Sequence, residues 1–138
     1  MIGVDTNVAL YACRADSSRH AASSAVVAEA RRAGTLVVVP QVFQEFVSVI
    51  TRPPPRGASL GAELARDVFD ATFERSLNAP TAEDFANQFR ALLAASRPTG
   101  ARVHDVALAA SYLALGVTEL LPFNGGDFVG LGLPTREP

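Results

Sequence analysis

Short apolar runs alternate with long helical segments along this chain, and this alternation restricts the folds open to it. Strands are predicted at Met1 to Val4, Leu36 to Val39 and Thr118 to Leu121, with a last short one near Leu133. Apolar spacing predicts helices over 7–13, 18–33, 41–51, 60–77, 81–96 and 104–115. Strands separated by helices form βαβ units, so we predict an α/β fold with a small, mostly parallel sheet and helices on both of its faces.

The chain has the composition of one folded domain. Its 138 residues are 49% hydrophobic and 19% charged, which excludes disorder and provides enough apolar surface for a core without disulfides. The proline-rich segment 52–57 is the one clear break, and it is too short to separate two domains. We therefore expect a single domain over residues 1–138.

The charge of the chain and its lack of targeting segments restrict its binding partners and its cellular location. All 12 basic residues are Arg, and the net charge of -2 excludes a broad DNA-coating surface, so any contact with nucleic acid should be local. No apolar run is long enough to span a membrane, and the N-terminus lacks the basic region with which a signal peptide begins. The one cysteine, Cys13, has no second cysteine with which to form an internal disulfide. These features predict a cytoplasmic protein without a membrane partner.

Four carboxylates occupy unusual places in this pattern. Asp5 ends the first strand and Asp127 follows a later one, and ligands of parallel sheets bind beyond the carboxyl ends of the strands. Glu45 projects at the rim of the apolar stripe of its helix, and Asp105 begins the most apolar helix of the chain.

Each of these acids also has a purely structural interpretation. Asp5 fits a helix cap, Glu45 an arginine partner, Asp105 a helix dipole and Asp127 a turn. Together, however, they predict a cluster that needs a cation, and hard oxygen ligands select Mg²⁺ or Mn²⁺ over Zn²⁺. No serine-hydrolase, nucleotide-loop or dinucleotide motif is present, and His104, beside Asp105, is a candidate for phosphate contact or proton transfer.

Four short motifs taken in series resemble the PIN-domain ribonucleases, in particular the VapC-like toxins of type II toxin-antitoxin pairs. They are Val4-Asp5-Thr6-Asn7, Gln44-Glu45-Phe46, the run from His104 to Ala110, and Asn124-Gly125-Gly126-Asp127-Phe128. The match in order and spacing covers almost the whole chain. This resemblance implies a three-layer α/β/α sandwich, a Mg²⁺- or Mn²⁺-dependent endoribonuclease acting on RNA, a homodimer, and a cognate antitoxin that blocks the site.

The resemblance also assigns roles to residues. It implies that Asp5, Glu45 and Asp105 are the three acids that gather the metal, with Asp5 and Asp105 as ligands and Glu45 reaching the ion directly or through water. Asp127 matches a fourth, more variable acid, and Thr6 matches a hydroxyl beside the site. Pro122 stands where the family usually has Thr, and Gly125-Gly126 loosens the loop, so either Asn124 or Asp127 could fill the fourth position.

The sequence does not decide which surfaces bind RNA or protein partners. Candidates for RNA contact are the loop arginines Arg52, Arg56, Arg97 and Arg102, each of which could equally be ordinary surface charge. The apolar stripes of 60–77 and 81–96, with Phe43 and Phe46, are either core or a face for a second copy or an antitoxin helix.

Two other functions share the same acidic layout. One is a non-catalytic PIN-like scaffold whose acids cap helices. The other is a phosphatase, a structure-specific nuclease or an RNA-processing nuclease without an antitoxin. A small neighbouring reading frame that encodes a DNA-binding antitoxin would favour the toxin over both.

Overall fold

The first apolar run of the chain forms the middle of a parallel sheet. The computed structural model describes residues 1–138. Its three strands are Ile2–Val4 (β1), Leu36–Val37 (β2) and Glu119–Leu121 (β3), in the order β2-β1-β3. Both pairings are parallel: Ile2 lies beside Leu36 on one side and beside Glu119 on the other. The predicted parallel α/β fold is confirmed.

Six α-helices surround this sheet, and every predicted helix is present. They are Thr6–Ala12 (α1), His20–Arg32 (α2), Pro40–Ile50 (α3), Ala62–Phe73 (α4), Ala82–Ser96 (α5) and Arg102–Ala114 (α6). Helix α1 packs on α2 and α3, α3 packs on α4, and α5 packs on α6. None of them is both long and apolar enough to cross a membrane.

The core is one cluster of 26 buried residues that draws on the sheet and on most of the helices. Helix α6 contributes heavily, as its apolar sequence predicts, and six of its residues are buried. Its Tyr112 ring lies directly against β1 at Gly3, where an added Cβ atom would come within 2.8 Å of the ring. Only glycine therefore allows this close approach between α6 and the central strand.

Three predicted elements are clearly shorter than the sequence indicated. The strand predicted at Leu36 to Val39 is limited to Leu36–Val37, and Val38 forms only an isolated bridge. The helix predicted over 60–77 ends at Phe73 and continues as a 3-10 turn, Glu74–Ser76, which brings Leu77 into a parallel bridge with Val38. The strand predicted near Leu133 is reduced to a single bridge between Leu120 and Thr135. In the last two cases a pairing with a distant strand decides the backbone path.

The two apolar stripes that were candidates for a partner surface differ in how deeply they are buried. Most of the α4 stripe is core: Phe69 and Phe73 are fully buried, and Phe43 stacks on Phe69 with ring centroids 4.3 Å apart. Phe46 is also fully buried, so these phenylalanines cannot form a partner surface, whereas Leu64 of the same stripe is 52% exposed. Helix α5, by contrast, has no buried residue. Its stripe stays half exposed, with Phe85, Phe89, Leu92 and Leu93.

Candidate functional site

Asp5 lies where the central strand turns into the first helix. It is the N-cap of α1, and its carboxylate accepts a hydrogen bond from the backbone N–H of Val8 at 2.8 Å. Only 7% of the residue is exposed. The predicted capping role is therefore present, but it places a carboxylate almost completely inside the protein.

Burial dominates the titration of this carboxyl group. It raises the pKa of Asp5 from an ordinary 3.8 to about 6, although backbone hydrogen bonds from Val8, Phe123 and Asn7 act in the opposite direction. The nearby charge of Glu45 raises the pKa further. Asp5 is thus a carboxylate whose charge is poorly compensated by the protein, a property typical of functional acids.

Glu45 is held next to Asp5 by two hydrogen bonds. The Thr6 hydroxyl donates to Oε2 at 2.5 Å, and the Gln41 amide donates to Oε1 at 2.9 Å. The three ion pairs of the protein lie elsewhere and involve Arg14, Arg66 and Arg136. The interpretation of Glu45 as an arginine-paired acid at the border of the apolar stripe is therefore wrong, since neutral groups hold its carboxylate.

Gln41 was not recognised from the sequence, yet it connects two parts of the site. Besides Glu45, its amide nitrogen donates to the backbone oxygen of His104 at 3.2 Å and so links α3 to the first turn of α6. The spacing of four residues between Gln41 and Glu45 is the helical spacing at which side chains meet, and it was the available signal.

Asp105 lies in the first turn of α6 and is half buried. Burial raises its pKa first, and the charges of Asp127 and Glu45 raise it further, while Arg102 and His104 oppose them. Asp105 therefore interacts electrostatically with two other predicted site acids. The side chain of His104 is exposed, and the contact of this residue with the site is made by its backbone oxygen.

The two candidates for the fourth position lie together. Asp127 is part of a 3-10 turn, Gly125–Phe128, and the amide of Asn124 donates to its Oδ2 at 2.7 Å. Asp127 is close enough to Asp105 to raise its pKa. The structure thus joins the two candidates by a hydrogen bond, and the assignment of one of them to the fourth position stays a prediction.

The four predicted acids thus come from four segments and influence one another. Their oxygen donors match the chemistry that Mg²⁺ and Mn²⁺ prefer. No group of three His, Cys, Asp or Glu side chains in the structure is arranged closely enough to hold a metal ion. The carboxylates of Asp5 and Glu45 are instead hydrogen-bonded to protein groups.

Of the four arginines predicted to contact RNA, one lies near the site acids and the other three form no contact with them. Arg102 influences Asp105, and its guanidinium donates to the backbone oxygen of Val129 at 3.4 Å. Arg52 instead approaches the Ser48 hydroxyl, and Arg56 and Arg97 are exposed.

Tyr112 is a second residue that the sequence did not reveal. It is fully buried, its hydroxyl donates to the backbone oxygen of Val4 at 2.5 Å, and it accepts from the Val4 N–H at 3.3 Å. Burial raises the pKa of this hydroxyl strongly, so it stays protonated. Tyr112 fixes the end of β1 directly before Asp5.

Comparisons with known proteins bear on the family and the fold of this chain. A family model described as the PIN domain matches residues 2–129. The structure is similar to that of Mycobacterium tuberculosis VapC20, described as a sarcin-ricin loop cleaving toxin, with a TM-score of 0.66, 17% identity and 100% of both chains covered.

A second similar structure is the DNA-bound VapBC of Salmonella typhimurium, with a TM-score of 0.64 and 15% identity, covering 99% of this chain and 96% of that one. A search of curated proteins finds no match.

Proposed function

Because the chain belongs to the PIN-domain family, we propose that it is an endoribonuclease that hydrolyses RNA phosphodiester bonds with Mg²⁺ or Mn²⁺. One observation carries the proposal: two carboxyl groups from separate elements, Asp5 and Asp105, have pKa values raised first by burial and further by the charge of Glu45, which lies near both. A scaffold gains nothing from such uncompensated charge, whereas a divalent cation would neutralise it.

Asp5 and Asp105 are the residues we propose as metal ligands, with Glu45 contributing directly or through water. A bound divalent ion supplies an activated water and neutralises charge on the phosphate. The protein's own contribution is positioning: the Val8 N–H fixes Asp5, and Thr6 and Gln41 fix Glu45.

A carboxylate also has to accept the proton of the attacking water. Asp127 is the candidate, because its carboxylate accepts only from the Asn124 amide and its second oxygen has no protein donor. Arg102, which acts on the charge of Asp105, is placed to attract the RNA phosphate towards the acids.

We further propose that the chain is the toxin of a toxin-antitoxin pair, that it forms a homodimer, and that a cognate antitoxin blocks the site. The two similar structures are described as a toxin and as a VapBC assembly, which supports this assignment. The half-exposed α5 stripe, Phe85, Phe89, Leu92 and Leu93, is the apolar surface that a second copy or an antitoxin helix would cover.

The test is cleavage of RNA by the purified protein freed of any partner. We expect single-stranded RNA or RNA loops to be cut with Mg²⁺ or Mn²⁺, and cleavage to stop when EDTA is added. Asp5→Asn and Asp105→Asn should abolish it, whereas Asp16→Asn, a change at an exposed ion-paired acid, should not. Full activity in chelator would contradict the metal-dependent mechanism.

A further inference from the structure

An arginine is supported by two aromatic rings from the segments that adjoin Asp5, helix α1 and the loop after β3. The guanidinium carbon of Arg19 is 4.5 Å from the centre of the Phe123 ring and 5.6 Å from that of Tyr11. The two rings meet edge to face, with centroids 5.3 Å apart and planes at 74°. Both rings are half buried and Arg19 is exposed, so the rings form a fixed support for a charge that faces solvent.

The same segments that carry these rings also position Asp5. Phe123 follows β3 by two residues, and the last residue of β3, Leu121, accepts a hydrogen bond from the Asp5 N–H at 3.3 Å. Tyr11 belongs to α1, the helix that Asp5 caps, and its backbone oxygen lies 2.9 Å from Nδ1 of His20 at the start of α2. Arg19 is therefore placed relative to Asp5 by a short chain of direct contacts.

The guanidinium N–H groups of Arg19 have no acceptor within the protein. Arg14, Arg66 and Arg136 pair with carboxylates, but Arg19 forms neither an ion pair nor a side-chain hydrogen bond. A cation–π contact stabilises the charge of a guanidinium and leaves its five N–H donors available. Arg19 is thus oriented in advance and still able to bind an anion.

We infer that Arg19 is an RNA-binding residue that contacts a phosphate next to the cleaved bond, an inference that rests on the proposed ribonuclease activity. A planar guanidinium binds the two oxygens of a phosphate in parallel. A site built from four carboxylates repels the RNA backbone, and the fixed cation beside Asp5 compensates for this repulsion locally. Tyr11 and Phe123 act as positioning residues through their support of Arg19.

The salt dependence of RNA binding tests this contact directly. Each phosphate contact to a single strand contributes about 0.7 to the slope of log affinity against log salt concentration. We would measure the binding of a fluorescein-labelled single-stranded RNA of mixed sequence by anisotropy, in an Asp5→Asn background that does not cut it. Adding Arg19→Ala should lower the slope by about 0.7 and weaken binding about tenfold at low salt.

Matched variants separate a phosphate contact from a general loss of charge. Arg66→Ala removes the same charge at a guanidinium already bound by Asp67, and it should leave the slope unchanged. Arg19→Lys should restore most of the slope but less of the affinity, since lysine supplies the charge without the planar donor pair. Phe123→Leu should weaken binding while the Arg19 charge is retained.

The outcomes distinguish this inference from the function on which it rests. Equal slopes for Arg19→Ala and Arg66→Ala would overturn the Arg19 contact and leave the ribonuclease proposal intact. Unchanged RNA binding together with weaker capture of an antitoxin by Arg19→Ala would also overturn it, and would assign Arg19 to a protein partner. A wild-type protein that neither binds nor cuts RNA would refute the proposed function itself.

Discussion

Replacing Asp5 with asparagine should make the metal-free protein more stable at neutral pH, even though it removes a functional group. Burial raises the pKa of Asp5 from 3.8 to about 6. This difference of about two pKa units, at 1.36 kcal/mol each, corresponds to about 3 kcal/mol. In the folded protein the ionised carboxylate therefore opposes folding by about this amount at pH 7.5.

The sign of the effect follows from proton binding. Between the two pKa values the folded protein holds a proton on Asp5 that the unfolded chain has already released, so stability falls as the pH rises through this range. Asparagine is neutral at every pH and its side-chain oxygen can still accept from the Val8 N–H. The stability difference between variant and wild type should therefore grow by roughly 2 to 3 kcal/mol from pH 4 to pH 7.5.

Urea unfolding in EDTA at the two pH values measures this difference. Asp16→Asn serves as the control, because Asp16 is exposed and Arg14 lowers its pKa, so it should show no stabilisation as the pH rises. An Asp5→Asn protein that is less stable than wild type by the same amount at both pH values would refute the reasoning. Asp5 would then be only a helix cap.

Three further substitutions test other parts of the structure. Thr6→Val should lower RNA cleavage about tenfold with little change in melting temperature, because it removes the hydroxyl that holds Glu45, and Thr6→Ser should restore activity. Tyr112→Phe should lower the free energy of unfolding by about 1 to 3 kcal/mol in urea, since it leaves the backbone oxygen of Val4 buried without its donor. Phe89→Glu on the half-exposed α5 stripe should convert a dimer to a folded monomer in sedimentation or prevent antitoxin capture; a variant that keeps both properties would exclude this stripe as the interface.

Local signals predicted some elements almost to the residue. Helix α5, predicted over 81–96, spans Ala82–Ser96 with Thr81 as its N-cap, because the Thr81 hydroxyl accepts from the Asp84 N–H at 3.1 Å and this contact involves only neighbouring residues. The end of α4 could not be predicted in this way. The helix ends where the chain turns to pair Leu77 with Val38, and the sequence of the helix contains no signal for a contact with a residue so distant in the chain.

The same distinction applies to the site. Asp5, Glu45 and Asp105 stood out because a charge within apolar sequence is itself a signal. Tyr112 gave none, since an aromatic residue in an apolar helix has the same pattern whether or not its hydroxyl reaches the backbone of Val4. Arg19 was similarly indistinguishable from surface charge until the structure placed it on Phe123.

The central position of β1 also determines when the site can form during synthesis. β1 and β3 are separated by more than a hundred residues, yet Gly3 pairs with Leu120 and the Thr118 N–H donates to the Met1 oxygen at 2.9 Å. A nascent chain that has not yet reached β3 cannot close this pairing, and Asp127 emerges from the ribosome later still. Such long-range pairing makes folding slow. The complete set of four acids can therefore assemble only after synthesis has passed Asp127.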